Sequence, residues 1–286
     1  MKGYTSKIMQ CNHSGFAMLS LSPNRSKKGT PRIKKYKSTY LAQQRANERR
    51  SRDNCFLEAV DNFMIGDWFA SITFSDDTLD TERILLFKKV IRFLQRRAAK
   101  NGIPLKYMYI WGRGENKSHL HTHSFFNSAI SFEDISACNK LYKDVHITVE
   151  RIENNRGYNN DSDVIEYIVD YMFYPHWYSL NPQDKRALVK KHYYTSQSMS
   201  KVSIIEKNDD EVDRPIEDSP NKLMKAILRN PYNTDHIDSL VRKVLKGYRL
   251  ESSTSSVKIY TDWYNHFYVK IKLIRIGSIL DHDQDV

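Results

Sequence analysis

The sequence predicts an α+β fold in which a central antiparallel sheet carries helices on one face. Segments with strand-like and helix-like patterns follow one another in the order strand, helix, strand, turn, strand, helix, strand, helix between residues 66 and 174. Two of the strand-like runs are joined by a short, turn-rich connection, which is typical of an antiparallel hairpin. Of the 286 residues, 40% are hydrophobic and 12% are aromatic, so the chain can build a packed core.

A helix is predicted before the first strand of the main region. Residues from Thr39 to about Met64 have a helical composition, and Gly66-Asp67 breaks the pattern. Trp68 to Phe74 is rich in aromatic and β-branched residues, which favours a strand. Residues 80–100 then form an amphipathic basic helix that Asn101-Gly102 ends.

The second half of the main region completes the pattern. The predicted elements are a strand at 107–111, a turn at 112–118, a strand at 119–126, a helix at 131–142, a strand at 145–152, a polar loop at 154–161 and a helix at 164–174. Pro175 ends the last helix.

Composition divides the chain into four predicted regions. These are a basic N-terminal arm with the start of a helix at 1–53, the main domain at 54–206, an acidic linker at 207–221 and an accessory C-terminal region at 222–286. Within the arm, residues 22–37 are basic and turn-rich, which predicts a flexible segment. In the accessory region, residues 222–250 have a helical pattern and residues 257–276 have an extended one.

The net charge of +11 is confined to the arm. Residues 1–53 hold 13 Lys and Arg against two acids, Glu48 and Asp53, whereas the rest of the chain has equal numbers of bases and acids. A basic segment of this kind indicates a polyanionic partner such as nucleic acid or an anionic membrane surface. By itself it does not locate a catalytic site.

Several classes of protein are excluded by the sequence pattern. No apolar run approaches the roughly 20 residues that span a bilayer, and the apolar run 16–19 is too short for a signal peptide. The three cysteines, Cys11, Cys55 and Cys138, are odd in number and widely spaced. They indicate a reducing compartment without a disulfide framework or a zinc pattern.

Three alternating histidines form the sharpest local signal. His119, His121 and His123 fall on one predicted strand, where alternate residues share a face. Two imidazoles spaced in this way can converge on one ion, with either Glu115 of the preceding turn or His123 as a third ligand. Such a set suits Mn²⁺ or Zn²⁺, and accepts Mg²⁺ when a phosphate supplies further oxygens. The alternative is that the histidines form the polar face of an exposed strand.

Two tyrosines share one face of the last predicted helix. Tyr167 and Tyr171 are four residues apart, and Tyr174 continues the same face. A packed aromatic stripe would give the same pattern. Beside a metal that polarises a phosphodiester, however, a tyrosine hydroxyl can act as a nucleophile despite its high ordinary pKa.

Taken together, these motifs resemble those of HUH endonucleases, and in particular replication initiators of filamentous phages, related small phages and plasmids. The three matching segments are Ala70 to Asp76, the hairpin from Tyr109 to Asn127 that includes His119-Leu120-His121, and the helix from Val164 to Tyr171. The resemblance covers about residues 66–200. It departs from the family pattern at Asp170, where members often place a lysine three residues after the first tyrosine.

The resemblance implies a ferredoxin/RRM-like HUH fold and a specific activity. The chain would be a single-strand DNA endonuclease and strand transferase that nicks a replication origin and starts rolling-circle replication. Tyr171 or Tyr167 would form a 5′-phosphotyrosine link, and His119, His121 and Glu115 would hold Mg²⁺ or Mn²⁺. The order in which the two tyrosines act is left open.

The resemblance also implies partners and a location. Origin single-stranded DNA would be the substrate, in the cytoplasm of a bacterial host and without a membrane partner. A host or partner helicase and a DNA polymerase would act with the protein, since the sequence has no G-x-x-x-x-G-K-[ST] nucleotide loop. The alternatives are a transposase or relaxase of the same chemistry, a hydrolase that uses metal-activated water, and a nucleic-acid-binding protein without enzymatic activity.

Overall fold

The computed structural model describes residues 4–23, 40–113, 119–154, 161–173, 191–207, 220–251, 256–261 and 267–278. The chain forms two compact units. One unit is continuous, Gln44–Ser200, and the other combines Met1–Gln43 with Lys201–Val286. We call them the central unit and the terminal unit.

The described elements are, in chain order, β1 (Tyr4–Gln10), β2 (Phe16–Pro23), α1 (Tyr40–Asn62), β3 (Trp68–Phe74), α2 (Asp80–Lys100), β4 (Tyr107–Arg113), β5 (Leu120–Phe126), α3 (Phe132–Leu141), β6 (Val145–Arg151), α4 (Asp161–Tyr171), β7 (Tyr194–Thr195), β8 (Ser203–Lys207), α5 (Pro220–Arg229), α6 (Thr234–Val244), β9 (Tyr248–Leu250), β10 (Val257–Thr261) and β11 (Phe267–Arg275). The α+β class is confirmed, with two antiparallel sheets and six helices among the described residues.

The central unit contains a five-stranded antiparallel sheet in the order β6-β3-β5-β4-β7. The strand β5, which carries the histidines, therefore lies in the middle of the sheet. Ser71 of β3 and Ile110 of β4 both pair with His123. Paired residues share a face of a sheet, so this register puts Phe69, Ser71, His121, His123 and Phe125 on one side, which we call the histidine face.

Helices cover both faces of this sheet, and not one face as the sequence suggested. On the histidine face, α1 places Phe63 against Phe125 with ring centroids 5.1 Å apart, and α4 places Tyr171 against Phe69 at 6.1 Å. On the opposite face, Phe87 of α2 lies 4.4 Å from the ring of Tyr109. His123 therefore lies beneath α4, whereas the side chain of His119 is 44% exposed.

The helix α2 forms because its sequence combines a strong apolar stripe with favourable ends. Buried residues recur at three- and four-residue spacing, which places them on one face; they are Arg83, Phe87, Val90, Ile91, Leu94 and Ala98. Asp80 and Glu82 lie in the first turn, where carboxylates oppose the helix dipole. Gly102, with φ of 70°, allows the chain to leave the helix in a left-handed conformation.

The terminal unit is built around a second antiparallel sheet in the order β10-β11-β2-β1-β8, with β9 also paired to β11. The helices α5 and α6 pack on one of its faces, where their apolar side chains meet those of the strands. This core contains Leu19 from the start of the chain, Ile227 and Leu240 from the helices and Ile271 from the last strand.

This arrangement differs from the four regions expected from composition. Residues 4–23 form two strands of the terminal sheet and are not part of a basic arm, and β9, β10 and β11 of the predicted accessory region share that sheet with them. Residues 201–206 also belong to the terminal unit. The net charge of residues 1–53, taken as one block, did not show that its first part differs. Residues 1–23 contain only Lys2 and Lys7 as basic residues. Residues 24–39 of the arm and 208–219 of the linker lie outside the described residues.

Candidate active site

The histidine face brings two of the three histidines together with one tyrosine. The rings of His121 and His123 are 5.1 Å apart and almost perpendicular. The ring of Tyr171 lies 5.3 Å from that of His123, also at a steep angle of 79°. The strand that carries the histidines and the helix that carries the tyrosines therefore meet, as the motif order suggested.

His123 is held by contacts on two sides. Its Nδ1 lies 2.9 Å from the hydroxyl oxygen of Ser71, and its ring stacks on Phe69 at 5.8 Å and 9°. The side chain is only 3% exposed. These contacts fix the plane of the imidazole and so provide a rigid support for the ring of Tyr171.

His121 lies next to His123, and the pKa of its imidazole is lowered. Burial lowers the pKa of its imidazole below the ordinary value, and the nearby positive charge of Arg113 acts in the same direction, against a hydrogen bond to the His119 carbonyl. A lowered pKa favours the neutral ring at neutral pH. Only a neutral imidazole can donate a lone pair to a metal ion.

His119 lies just before β5, and its imidazole has partners of its own. A guanidinium nitrogen of Arg83 is 3.1 Å from Nδ1, and a carboxylate oxygen of Asp76 is 3.2 Å from Nε2. Because a guanidinium only donates hydrogen bonds, Nδ1 acts as the acceptor. The proton of the neutral ring then lies on Nε2, where it faces Asp76.

Arg83 organises this corner although sequence reasoning gave it no role. Its side chain is 2% exposed and donates to the carboxylate of Asp80 at 3.1 Å. It also donates to the backbone carbonyls of Ser75 at 3.0 Å and Asp76 at 3.1 Å. Arg83 thus ties the turn after β3 to His119. The sequence feature that could have identified Arg83 is its position on the apolar stripe of α2.

The helix α4 presents Tyr167 and Tyr171 on one side and buries its other side. The two tyrosines are 39% and 40% exposed. Its buried apolar residues are Val164, Ile165, Ile168 and Val169. Both tyrosines remain substantially accessible, although the ring of Tyr171 also packs against Phe69 and His123. Tyr174 lies outside the described residues.

An arginine from α1 clamps the same helix. Arg52 donates through Nε to Asp170 at 2.6 Å and through a terminal nitrogen to Glu166 at 2.7 Å. The acid at position 170, where the family pattern often has a lysine, is therefore neutralised by a cation from another helix. Glu166 and Asp170 lie one turn apart, on the same part of α4 as the two tyrosines.

The donor chemistry of this region suits a divalent ion only in part. His119, His121 and the adjacent carboxylate of Asp76 are ligand types that Mg²⁺, Mn²⁺ or Zn²⁺ accepts. Within the described ranges, however, no three His, Cys, Asp or Glu side chains are grouped closely enough to hold one ion. Glu115, the expected third ligand, is not among the described residues.

The histidine face brings the accessible phenol of Tyr171 beside the imidazoles of His121 and His123. Arg52 anchors α4, and Arg83 anchors the turn after β3. Searches for a matching protein family, a similar curated protein and a similar solved structure each find nothing. In the part of the chain that is described, every helix is too short or too polar to cross a bilayer.

Proposed function

We propose that the central unit is an HUH-type endonuclease and strand transferase that cuts single-stranded DNA at a replication origin and starts rolling-circle replication. The observation that carries the proposal is the position of Tyr171. Its ring is 40% exposed and lies 5.3 Å from His123, beside the His-x-His strand. A nucleophile of this kind needs both access to a phosphodiester and a group nearby that handles charge.

The chain's own residues would carry out a balanced transesterification. The Tyr171 oxygen attacks the scissile phosphorus and loses its proton, and a P–O bond forms as the P–O3′ bond breaks. The tyrosine becomes linked to the 5′ phosphate, and the departing 3′ oxygen takes up a proton. The free 3′ hydroxyl then primes a DNA polymerase. Tyr167, one helical turn away, would cut the regenerated origin and allow the strand to be closed.

A divalent ion, Mg²⁺ or Mn²⁺, would be held by His119 and His121 with Glu115 as the third ligand. When bound, such an ion stabilises the negative charge that develops on the phosphoryl oxygens. Asp76 now occupies the Nε2 side of His119 at 3.2 Å, so we expect this contact to open or to be shared on metal binding. With Nε2 bound to the ion, the proton of the neutral ring would lie on Nδ1, so Arg83 could no longer donate to that nitrogen. We therefore expect the contact with Arg83 to open as well.

The proposal also specifies partners and place. The protein would act in the cytoplasm of a bacterial host, on origin DNA, with a host or partner helicase to separate the strands. A transposase or relaxase would use the same residues on a mobile-element end or a transfer origin. The two are distinguished by which DNA sequence is cut.

A covalent-adduct assay tests the function. The protein is incubated with a pool of single-stranded oligonucleotides and Mn²⁺, and adducts are detected on denaturing gels and located by mass spectrometry. We expect an adduct on Tyr171, a loss of at least about 100-fold for Tyr171→Phe, and no loss for the control Tyr232→Phe. Tyr232 is 91% exposed in the terminal unit.

Two results would contradict this proposal. Cleavage without an adduct in the Tyr167→Phe/Tyr171→Phe double variant would indicate a hydrolase that uses activated water. DNA binding without any cleavage, over a range of metals and origins, would indicate a binding protein in which the histidines are structural.

A further inference from the structure

The helix α2 carries a continuous basic ridge on its outer side. Four exposed cations recur every four residues and so fall along one side of the helix, and a fifth, Lys89, lies beside them; the four are Lys88, Arg92, Arg96 and Lys100. No acidic residue occurs in α2 after Glu82. The ridge therefore has a single sign of charge over about three turns.

These cations are not used to hold the fold together. Arg83 and Arg97 of the same helix pair with Asp80 at 3.1 Å and with Asp134 at 3.6 Å. None of the five ridge residues makes an ion pair or a side-chain hydrogen bond in the described part of the chain. Like charges one turn apart weaken an isolated helix, so the ridge is better explained by an anionic partner than by stability.

The ridge lies on the wrong side of the sheet to hold the strand at the tyrosines. α2 packs on the face opposite the histidines, where Phe87 contacts Tyr109 at 4.4 Å and Trp111 at 5.2 Å. Tyr171 and His123 lie on the histidine face. A ligand on the ridge is therefore separated from Tyr171 by the thickness of the sheet.

The chemistry of the ridge favours the backbone of duplex DNA. Grooves that bind single strands usually combine cations with exposed aromatic rings on which bases stack. The only aromatic residue between Lys88 and Lys100 is Phe93, which is half-buried and packs against Tyr142 and Arg97. A straight row of cations without rings contacts phosphates only. From Lys88 to Lys100 it extends about 18 Å, roughly the rise of five base pairs.

We propose that the α2 ridge binds the sugar–phosphate backbone of the duplex that flanks the cut strand. That this duplex lies beside the cut strand rests on the proposed nicking function, whereas duplex binding by the ridge does not. The protein would then hold DNA on two faces of one sheet, with duplex on α2 and single strand beside α4.

Fluorescence anisotropy tests whether the ridge binds duplex DNA. The Kd for a fluorescent 20-base-pair duplex is measured over a range of NaCl concentrations. The ridge variant is Lys88→Gln/Arg92→Gln/Arg96→Gln, because glutamine keeps helix propensity and removes charge. The control is Lys222→Gln/Lys225→Gln/Lys243→Gln, which removes the same charge from exposed lysines of α5 and α6.

We expect the ridge variant to raise the duplex Kd at least about 10-fold at moderate salt and to reduce the salt slope by about 2 to 3, close to 0.9 for each lost phosphate contact. The control should change the duplex Kd less than twofold. Kd for a single-stranded 20-mer, and adduct formation at saturating DNA, should change little in the ridge variant.

An unchanged duplex Kd and salt slope would overturn the proposal. So would equal losses in ridge and control variants, which would reflect net charge alone, or a loss of binding to anionic lipid vesicles with duplex binding intact. If the triple variant fails to fold by circular dichroism, Arg92→Gln/Arg96→Gln replaces it. Because duplex binding is measured without cleavage, failure of the nicking assay leaves this result interpretable.

Discussion

Arg83 illustrates how much one buried side chain contributes to the geometry around His119. It donates to a carboxylate, to two backbone carbonyls and to the imidazole itself. A lysine has one nitrogen in place of the planar group and could not reach all four acceptors. The position of His119 therefore depends on the shape of the guanidinium as well as on its charge.

Replacing Arg83 should be costly in a way that replacing Arg97 is not. We expect Arg83→Met to lower the free energy of unfolding by about 3 kcal/mol, because Asp80 and two carbonyls lose a buried donor. Arg97, whose side chain is 38% exposed and pairs with Asp134 at 3.6 Å, should lose less than about 1 kcal/mol as Arg97→Met. Urea denaturation of both variants measures the difference. Similar small losses in the two would show that the Arg83 contacts do not stabilise the fold.

The thiols of the central unit should be inert in the native protein. Burial raises the pKa of Cys55 well above its ordinary value and that of Cys138 to about 12, so neither forms thiolate at pH 8. Since only the thiolate reacts, a disulfide reagent at pH 8 should label both at the rate of unfolding. Labelling is followed by absorbance with and without urea. Fast labelling in native buffer would contradict the burial of these two thiols.

At the residue scale, some side chains can be identified from local sequence patterns, and others only from tertiary packing. Local spacing along a strand and a helix singles out His121 and Tyr171 as candidates, and their functional roles stay predictions. Arg52 and Arg83 could not be singled out in this way. The partners of Arg52 lie far away in sequence, and the contacts of Arg83 with Ser75, Asp76 and His119 form only once α2 packs against the turn after β3. The bond from Arg52 to Asp170 crosses 118 positions, and no local pattern encodes it.

At the element scale, α1 and α4 are joined by a charged clamp next to the tyrosines. Arg52 bridges Glu166 and Asp170 at 2.7 and 2.6 Å. The side chain of Glu166 is only 9% exposed, whereas that of Asp170 is 44% exposed. Loss of the arginine would therefore leave one buried carboxylate without this cation, and the turn that carries Tyr171 would lose a polar link to α1.

A double-mutant cycle measures this coupling. We expect Arg52→Met to cost about 3 kcal/mol of unfolding free energy and to slow adduct formation at saturating DNA. Arg52→Met/Glu166→Gln should recover part of the stability, because the buried charge is removed with its partner. Chemical denaturation of Arg52→Met, Glu166→Gln and the double variant gives the three changes in the free energy of unfolding. Strictly additive losses would mean that the ion pair does not couple the helices.

The boundaries of most elements could be predicted, but not which faces the helices cover. The strand at 68–74 and the helix at 80–100 are confirmed with the bounds that the pattern gave. The helix α1 was predicted, yet its buried residues in the second half occur all around the helix. Such a segment has no single apolar stripe from which its packing partner could be inferred.

At the scale of the whole molecule, the terminal unit is made from both ends of the described chain. β2 pairs with β11 through Leu19↔Ile271 and Leu21↔Val269. Sequence composition could not reveal this, because strand pairing over such a separation leaves no periodic signal. The region read as an arm was two strands followed by a basic segment.

Removing the first hairpin should therefore act at the other end of the sequence. Deletion of residues 1–23 takes away the strand that pairs with β11, so we expect rapid hydrogen exchange in residues 267–275. Residues 68–74 and 120–126, in the central sheet, should keep their protection. Hydrogen exchange with mass spectrometry reads both regions in one sample. Continued protection of 267–275 would contradict the pairing.

The pairing of β2 with β11 also imposes an order in time during synthesis. The partner of Leu21 is translated about 250 residues later, which at about 5 to 20 residues per second is a delay of roughly 12 to 50 seconds. Small domains fold much faster than this, so the central unit can be complete while the apolar hairpin still waits. During that interval Leu19 and Leu21 lack the core that the later helices and strands supply, so the hairpin exposes apolar surface until they are made.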